Sequence, residues 1–302
     1  MAEVFQIPLS DGELLRGNKW TAQKALYNLT VITGMNEYSL RYAPFAEWMT
    51  AAGVNVWVLD AFGQGLNAES RERQQRWPEA AFTKQVAGLR KMVRLASKNG
   101  LPTYLMGHSM GSFMVQAFLE KYPNEIAGAV ICGSNGGQGL LMKTGFRLSK
   151  LLVGKENRDE ECPVLQKMGL GGYAKAVRDR ETEFDWLSYD RENVRKYIDD
   201  PWCGQPNTGG FWQEFLKGMS GLWDRRNMRR VSPEERIFII AGADDPVGRN
   251  GRGPKWLEKA YRKLGVKEVD LRLYKGMRHE VLREAEKEKV FSDILAFIRG
   301  RN

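Results

Sequence analysis

Only two histidines and three cysteines occur among the 302 residues, and this scarcity removes several kinds of chemistry at the outset. Cys132, Cys162 and Cys203 are odd in number and widely separated, so no disulfide framework is indicated and they read as reduced thiols. With His108 and His279 alone, no zinc-ligand spacing exists and no metal is expected. No window approaches the ~20 apolar residues of a membrane-spanning helix. The first residues, MAEVFQIPLSDGELLRG, carry neither a basic leader nor an apolar stretch of signal-peptide length, so the expected location is the cytoplasm. The glycine-containing runs Asp60 to Gly65 and Gly248 to Gly253 lack the spacing of a phosphate cradle, so no nucleotide cofactor is expected. Internal repeats and low-complexity segments are also missing.

What is present is ordinary globular composition, 42% apolar and 27% charged. The length suits one large domain carrying an insertion better than two independent domains. Net charge is +9, but the Lys and Arg residues are spread along the chain with Asp or Glu nearby. That distribution reads as a solvated basic surface, with no nucleic-acid partner expected and room for transient contact with an anionic membrane surface.

Short β-rich runs open the chain, at Val4 to Ile7, Leu14 to Trp20 and Tyr27 to Thr33. An amphipathic helix is expected from Arg41 to Ala52, then a doubly buried strand from Val54 to Asp60 and a helix from Glu79 to Lys98. A strand from Pro102 to Met106, a helix from Met110 to Tyr122 closed by Pro123, and a strand from Ala127 to Gly133 follow. This alternation predicts an α/β fold, a mostly parallel sheet flanked by helices. From Gln138 to Ser232 it stops, in a stretch rich in charge and Trp that reads as a helical insertion. It resumes with strand Arg236 to Ala241, helix Pro254 to Leu264, strand Val269 to Tyr274 and a last helix from Glu284 to Arg299. The expected division is residues 1–137 and 233–302 as core and 138–232 as the insertion.

Gly107-His108-Ser109-Met110-Gly111 fits the G-x-S-x-G turn, in which small residues let a strand reverse sharply into a helix and leave a Ser hydroxyl exposed. The helix start would aim Met110 N–H at a developing oxyanion. A Ser hydroxyl needs a base, and His279, in the loop after the last strand, is the candidate. His108 adjoins the serine and is expected to point away into the strand environment. An orienting carboxylate should follow the strand near residue 240, where Asp244 and Asp245 compete. The order Ser, Asp, His matches α/β-hydrolases and neither chymotrypsin nor subtilisin. A second oxyanion donor is expected from Gly34-Met35-Asn36-Glu37, with Met35 N–H in that role.

These residues together resemble the α/β-hydrolase family that includes monoacylglycerol lipases, bacterial lysophospholipases and the serine aminopeptidase group. The marks are Gly34 to Glu37 with Arg41-Tyr42 beyond, the Asp60 loop, Gly107 to Gly111, Gly242 to Val247, and Met277 to Glu280. The resemblance implies the α/β-hydrolase fold with a helical cap, and it selects Asp245, because in this family the triad acid directly precedes the position of Pro246. The run Asp185 to Asp190 with Tyr197, Asp200-Pro201 and Cys203-Gly204 is similar to the cap of the lysophospholipase-like members. In such a cap Trp186, Trp202, Phe211, Trp212, Phe215 and Trp223 would line an acyl channel, with Gly34 beside the substrate. Departures are Thr33, Ala61 and Gln64, where the family usually has His.

The leading expectation is a serine hydrolase of small-molecule or lipid esters. A second is an amidase or acyltransferase with the same triad, for which Asp199-Asp200 or Asp159-Glu160-Glu161 would hold a substrate amine. A third is a binding protein that keeps the fold without turnover.

Overall fold

The computed structural model describes residues 1–300. Its centre is one eight-stranded sheet in the order β1-β2-β4-β3-β5-β6-β7-β8, with β1 (Glu3–Pro8), β2 (Leu14–Trp20), β3 (Tyr27–Ile32), β4 (Val54–Leu59), β5 (Thr103–His108), β6 (Gly128–Cys132), β7 (Arg236–Gly242) and β8 (Glu268–Tyr274). The β1–β2 and β2–β4 pairings are antiparallel, and every later pairing is parallel. This is the α/β-hydrolase architecture.

Central strands are apolar on both faces because helices cover both. Alternate residues go to opposite sides: Leu105, Ile131 and Ile239 join one apolar cluster, whereas Met106, Val130 and Ile240 join the other. Helices α1 (Ala43–Ala51) and α10 (Lys287–Ile298) cover the second face, and α2 (Ala81–Ala96), α3 (Met110–Lys121) and α9 (Arg252–Lys263) the first.

The first crossover carries the chain from β3 outward to β4, and the next returns it past β3 to β5. The winding direction therefore reverses between β3 and β5, which opens a crevice at their carboxyl ends. The Gly34 loop leaves β3 there, and Ser109 ends β5 there.

Element limits differ from expectation at points with identifiable causes. The helix expected from Arg41 divides into a 3-10 turn, Ser39–Tyr42, and α1, because Pro44 in the first turn fixes the α-helical start. Strand β5 continues beyond Met106 to His108 and so reaches the serine directly.

Between β6 and β7 lie α4 (Gly139–Leu152), α5 (Pro163–Leu170), α6 (Arg191–Asp199), α7 (Gly209–Gly221) and α8 (Arg225–Met228), joined by irregular segments. This insertion shares a core with the sheet domain. Phe211, Trp212, Phe215 and Met219 belong to the same apolar cluster as Trp77, Phe82 and Phe113. Phe211 is fully buried, its ring 4.6 Å from Trp77 and 5.4 Å from Trp212. Phe211→Ala should therefore cost about 3–5 kcal/mol in urea unfolding, in a single transition. A loss below about 1 kcal/mol, or two separate transitions, would show that the insertion is held on independently.

Candidate active site

Ser109 is the one-residue corner between β5 and α3, with φ +51° and ψ −119°. A non-glycine residue with positive φ costs about 1–3 kcal/mol, and here the surroundings impose it. Ser109 N–H donates to Cys132 O at 2.9 Å, and Ser109 O accepts from Ser112 N–H at 2.9 Å. The flanking glycines are steric necessities: a Cβ on Gly107 would sit 2.3 Å from Gly111 O, and one on Gly111 2.5 Å from Ile32 O.

Asp245, fully buried in the loop after β7, accepts from Val247 N–H at 2.8 Å through Oδ1. Its Oδ2 lies 3.0 Å from His279 Nδ1, which places the imidazole proton on Nδ1 and leaves Nε2 as the lone-pair nitrogen. Asp244 is turned away and accepts from the Tyr189 hydroxyl at 3.2 Å. The two loops are tied by Ala243 N–H to Tyr274 O at 2.8 Å and Asp244 N–H to Met277 O at 3.2 Å. Burial pushes the His279 pKa down, but the Asp245 carboxylate outweighs it and the net shift is upward from 6.5. Ser109 and His279 line one cavity. Among the described residues no hydrogen bond yet joins them, and such contacts commonly tighten only with substrate present.

The loop after β3 forms the opposite wall. Gln64 holds it: Nε2 donates to Gly34 O at 2.8 Å and Glu37 O at 3.0 Å, and Oε1 accepts from Asn36 N–H at 2.8 Å. The residue standing where the family usually has His thus supplies backbone support of its own. Asp60 fixes the far end, accepting from Ser39 N–H at 2.5 Å and Leu66 N–H at 2.9 Å; burial raises its pKa to about 7 despite these donors. Among the described residues neither Met35 N–H nor Met110 N–H has an acceptor, and both residues line the cavity beside Ser109.

His108 departs from expectation. Its ring turns toward the site, 4.8 Å from the His279 ring, with Nδ1 3.0 Å from Glu37 Oε1 and Nε2 3.2 Å from His279 O. Spacing gave no sign of this, because both partners come from distant loops.

The cavity measures about 670 Å³ and runs from Gly34, Ser109 and His279 into the insertion. Of the residues expected to line it, Trp186, Trp212 and Phe215 do, and Trp186 lies 5.2 Å from the His279 ring. Trp202, Phe211 and Trp223 do not. Phe211 precedes Trp212 by one helical position, about 100° around the axis, and so points into the core. Trp223 Nε1 donates to Gln116 Oε1 at 2.7 Å, which holds its ring beside Phe113 and Trp256. Trp202 sits in a turn where its N–H donates to Asp200 Oδ1 at 2.9 Å. Leu141, Met142, Met168, Leu170 and Met219 complete an apolar wall that the aromatic pattern did not reveal. The acidic candidates for amine binding are mostly elsewhere: Asp200 accepts from Tyr38 OH at 2.8 Å, Asp159 pairs with Arg76 at 3.3 Å, and of their runs Glu161 alone lines the cavity.

Fold and site together define a hydrolase of the α/β type. The chain belongs to the Hydrolase_4 family, described as "Serine aminopeptidase, S33", whose model matches residues 23–286. A monoacylglycerol lipase of Mycolicibacterium smegmatis is 25% identical over 287 residues, covering 92% of this chain and 90% of that one. Phospholipase YtpA of Bacillus subtilis is 21% identical over 285 residues, covering 92% and 97% respectively. Among solved structures, a thermostable carboxyl esterase from Bacillus coagulans superposes with a TM-score of 0.90 at 22% identity, covering 99% of this chain and 98% of that one.

A general base must be neutral to accept a proton, so with His279 in that role its raised pKa would move the loss of activity on acidification to higher pH. The acid limb of kcat/KM should inflect above pH 6.5. In Asp245→Asn it should move down, with kcat lower by about three to four orders of magnitude. An unchanged inflection in the variant would separate Asp245 from the titrating base.

Proposed function

We propose that the chain is a serine carboxylic-ester hydrolase acting on lipid esters of the monoacylglycerol or lysophospholipid kind, through an acyl-enzyme. Residues 1–137 and 233–302 form the catalytic core, and 138–232 a cap over its crevice. The observation that carries this reading is the apolar cavity opening directly on Ser109 and His279. Its volume lies in the usual range for small-molecule sites, and each methylene it removes from water contributes about 0.8 kcal/mol.

In this mechanism Ser109 Oγ attacks the acyl carbonyl while His279 Nε2 takes its proton. Asp245 holds the tautomer and stabilises the imidazolium that forms. The amides of Met35 and Met110 receive the oxyanion. His279 then protonates the departing alcohol, and water, activated by the same imidazole, releases the acid and frees Ser109. Names of relatives support the lipid class: a monoacylglycerol lipase and a phospholipase are similar over most of their lengths.

The test is hydrolysis of p-nitrophenyl butyrate, octanoate and palmitate by wild type and Ser109→Ala. The expected result is cleavage of at least the medium-chain ester and a drop of about six orders of magnitude in kcat for the variant. Equal inactivity of both proteins on all three esters would refute the ester reading.

The cap also supports contact with an anionic membrane surface. Leu140, Leu151 and Val164 are 80%, 84% and 53% exposed, close in sequence to exposed Arg147, Lys150 and Lys167. Each basic residue near such a surface contributes about 1 kcal/mol. Wild type should cosediment with phosphatidylglycerol vesicles at low salt, and the Leu140→Asp, Leu151→Asp double variant should not. Equal sedimentation of the two, or none by wild type, would place the patch outside any membrane contact.

A further inference from the structure

Beneath the catalytic side chains lies a buried polar cluster that the triad does not use. Its centre is Glu37, which leaves the oxyanion loop and turns back under it. Oε1 accepts from Gly34 N–H at 2.6 Å and from Tyr42 OH at 2.7 Å, and lies 3.0 Å from His108 Nδ1. Oε2 faces Arg283 at 3.3 Å and Arg41 at 3.4 Å. Burial opposes ionisation of Glu37, but these cations and the hydrogen-bond donors outweigh it and hold the carboxyl well below its ordinary range. Glu280, next to His279, meets both Nη atoms of Arg41, at 2.7 and 3.2 Å.

His108 spans the remaining gap. One ring nitrogen meets Glu37, and the other faces the backbone carbonyl of His279 at 3.2 Å. Both neighbours are acceptors, and the ring donates to either one, or to both when protonated. The covalent neighbour of His108 is Ser109. A single side chain therefore touches the loop bearing the Met35 amide, adjoins the nucleophile and contacts the backbone of the base. Space on the oxyanion side is closed as well, because a Cβ on Gly34 would lie 2.7 Å from Glu37 Oε1 and 3.2 Å from Ser109 Cβ.

We propose that Glu37 and His108 form a positioning relay that sets the distance between the oxyanion amides and the general base. The proposal rests on the reading of Ser109 and His279 given above. Neither relay residue touches the reacting atoms; each acts by holding backbone that does. Displacement of a catalytic group by ~1 Å is enough to cost on the order of 100-fold in rate, so the effect belongs in kcat.

Three substitutions separate the two halves of the relay. His108→Asn keeps a donor near the Nδ1 position, facing Glu37. His108→Gln keeps one near Nε2, facing His279 O. His108→Phe fills the space with neither. Rates are expressed per reactive serine, counted by total fluorophosphonate incorporated at completion, so unfolded protein does not enter. The expected result is a fall in kcat on the order of 10- to 100-fold for Phe, smaller falls for Asn and Gln, and KM changed by less than about twofold. Where Phe fails to fold, the Asn and Gln pair carries the comparison. Values of kcat within about twofold of wild type for all folded variants, or a loss confined to KM, would overturn the relay. If wild type cleaves no ester, the proposed activity fails by itself. The relay is then read from the second-order rate of fluorophosphonate addition to Ser109, which uses the same amides and base, and equal rates in all variants overturn it.

Discussion

The corner at Ser109 is the constraint on which the rest of the site depends. A residue with a side chain is held at φ +51° between a strand and a helix, and glycines on both sides allow backbone to approach within distances that no Cβ tolerates. Such a conformation persists only when its surroundings over-determine it. Here the hydrogen bond to Cys132 O, the start of α3 and the packing of Gly111 against the end of β3 do so. The corner places the hydroxyl at the carboxyl edge of the sheet, where the chain changes winding direction and a crevice is unavoidable.

Met35, Asp245 and His279 reach that corner from loops, and loops need separate fastening. Asp60 and Gln64 fasten the loop after β3 through buried hydrogen bonds to its backbone. Asp245 fastens His279. The ion pairs Arg41–Glu280 and Arg283–Glu37 join the two loops and are buried deeply enough that solvent screens them little. Removing one partner from such a cluster leaves an uncompensated buried charge, which costs about 3–5 kcal/mol even where the intact pair adds little net stability. Residues of the insertion line the crevice with apolar side chains and belong to the same apolar cluster as α2 and α3 on that face of the sheet.

Much of this was legible in the sequence because the signals were local. The apolar run before Ser109 and the helix after it adjoin in the chain, and the alternation of strands and helices up to residue 135 dictates a parallel sheet. Asp244 and Asp245 could not be separated by alternation; the turn hydrogen bonds that aim one inward and the other at Tyr189 are three-dimensional. The roles of Glu37 and Gln64 and the inward turn of His108 were illegible for the same reason, since the contacts that reveal them, Gln64 to Glu37 and His108 to Glu37 and to His279, span 27 to 171 residues. In the cap, one helical position decides whether an aromatic lines the cavity, as Trp212 does, or fills the core, as Phe211 does. Composition carries no such phase information.

The account centres on Ser109 as the single activated nucleophile, and peptide mapping by mass spectrometry after brief exposure to a fluorophosphonate addresses it most directly. The account predicts one adduct per chain, on the peptide containing Ser109. An adduct on another residue, or none on the folded protein, would contradict it.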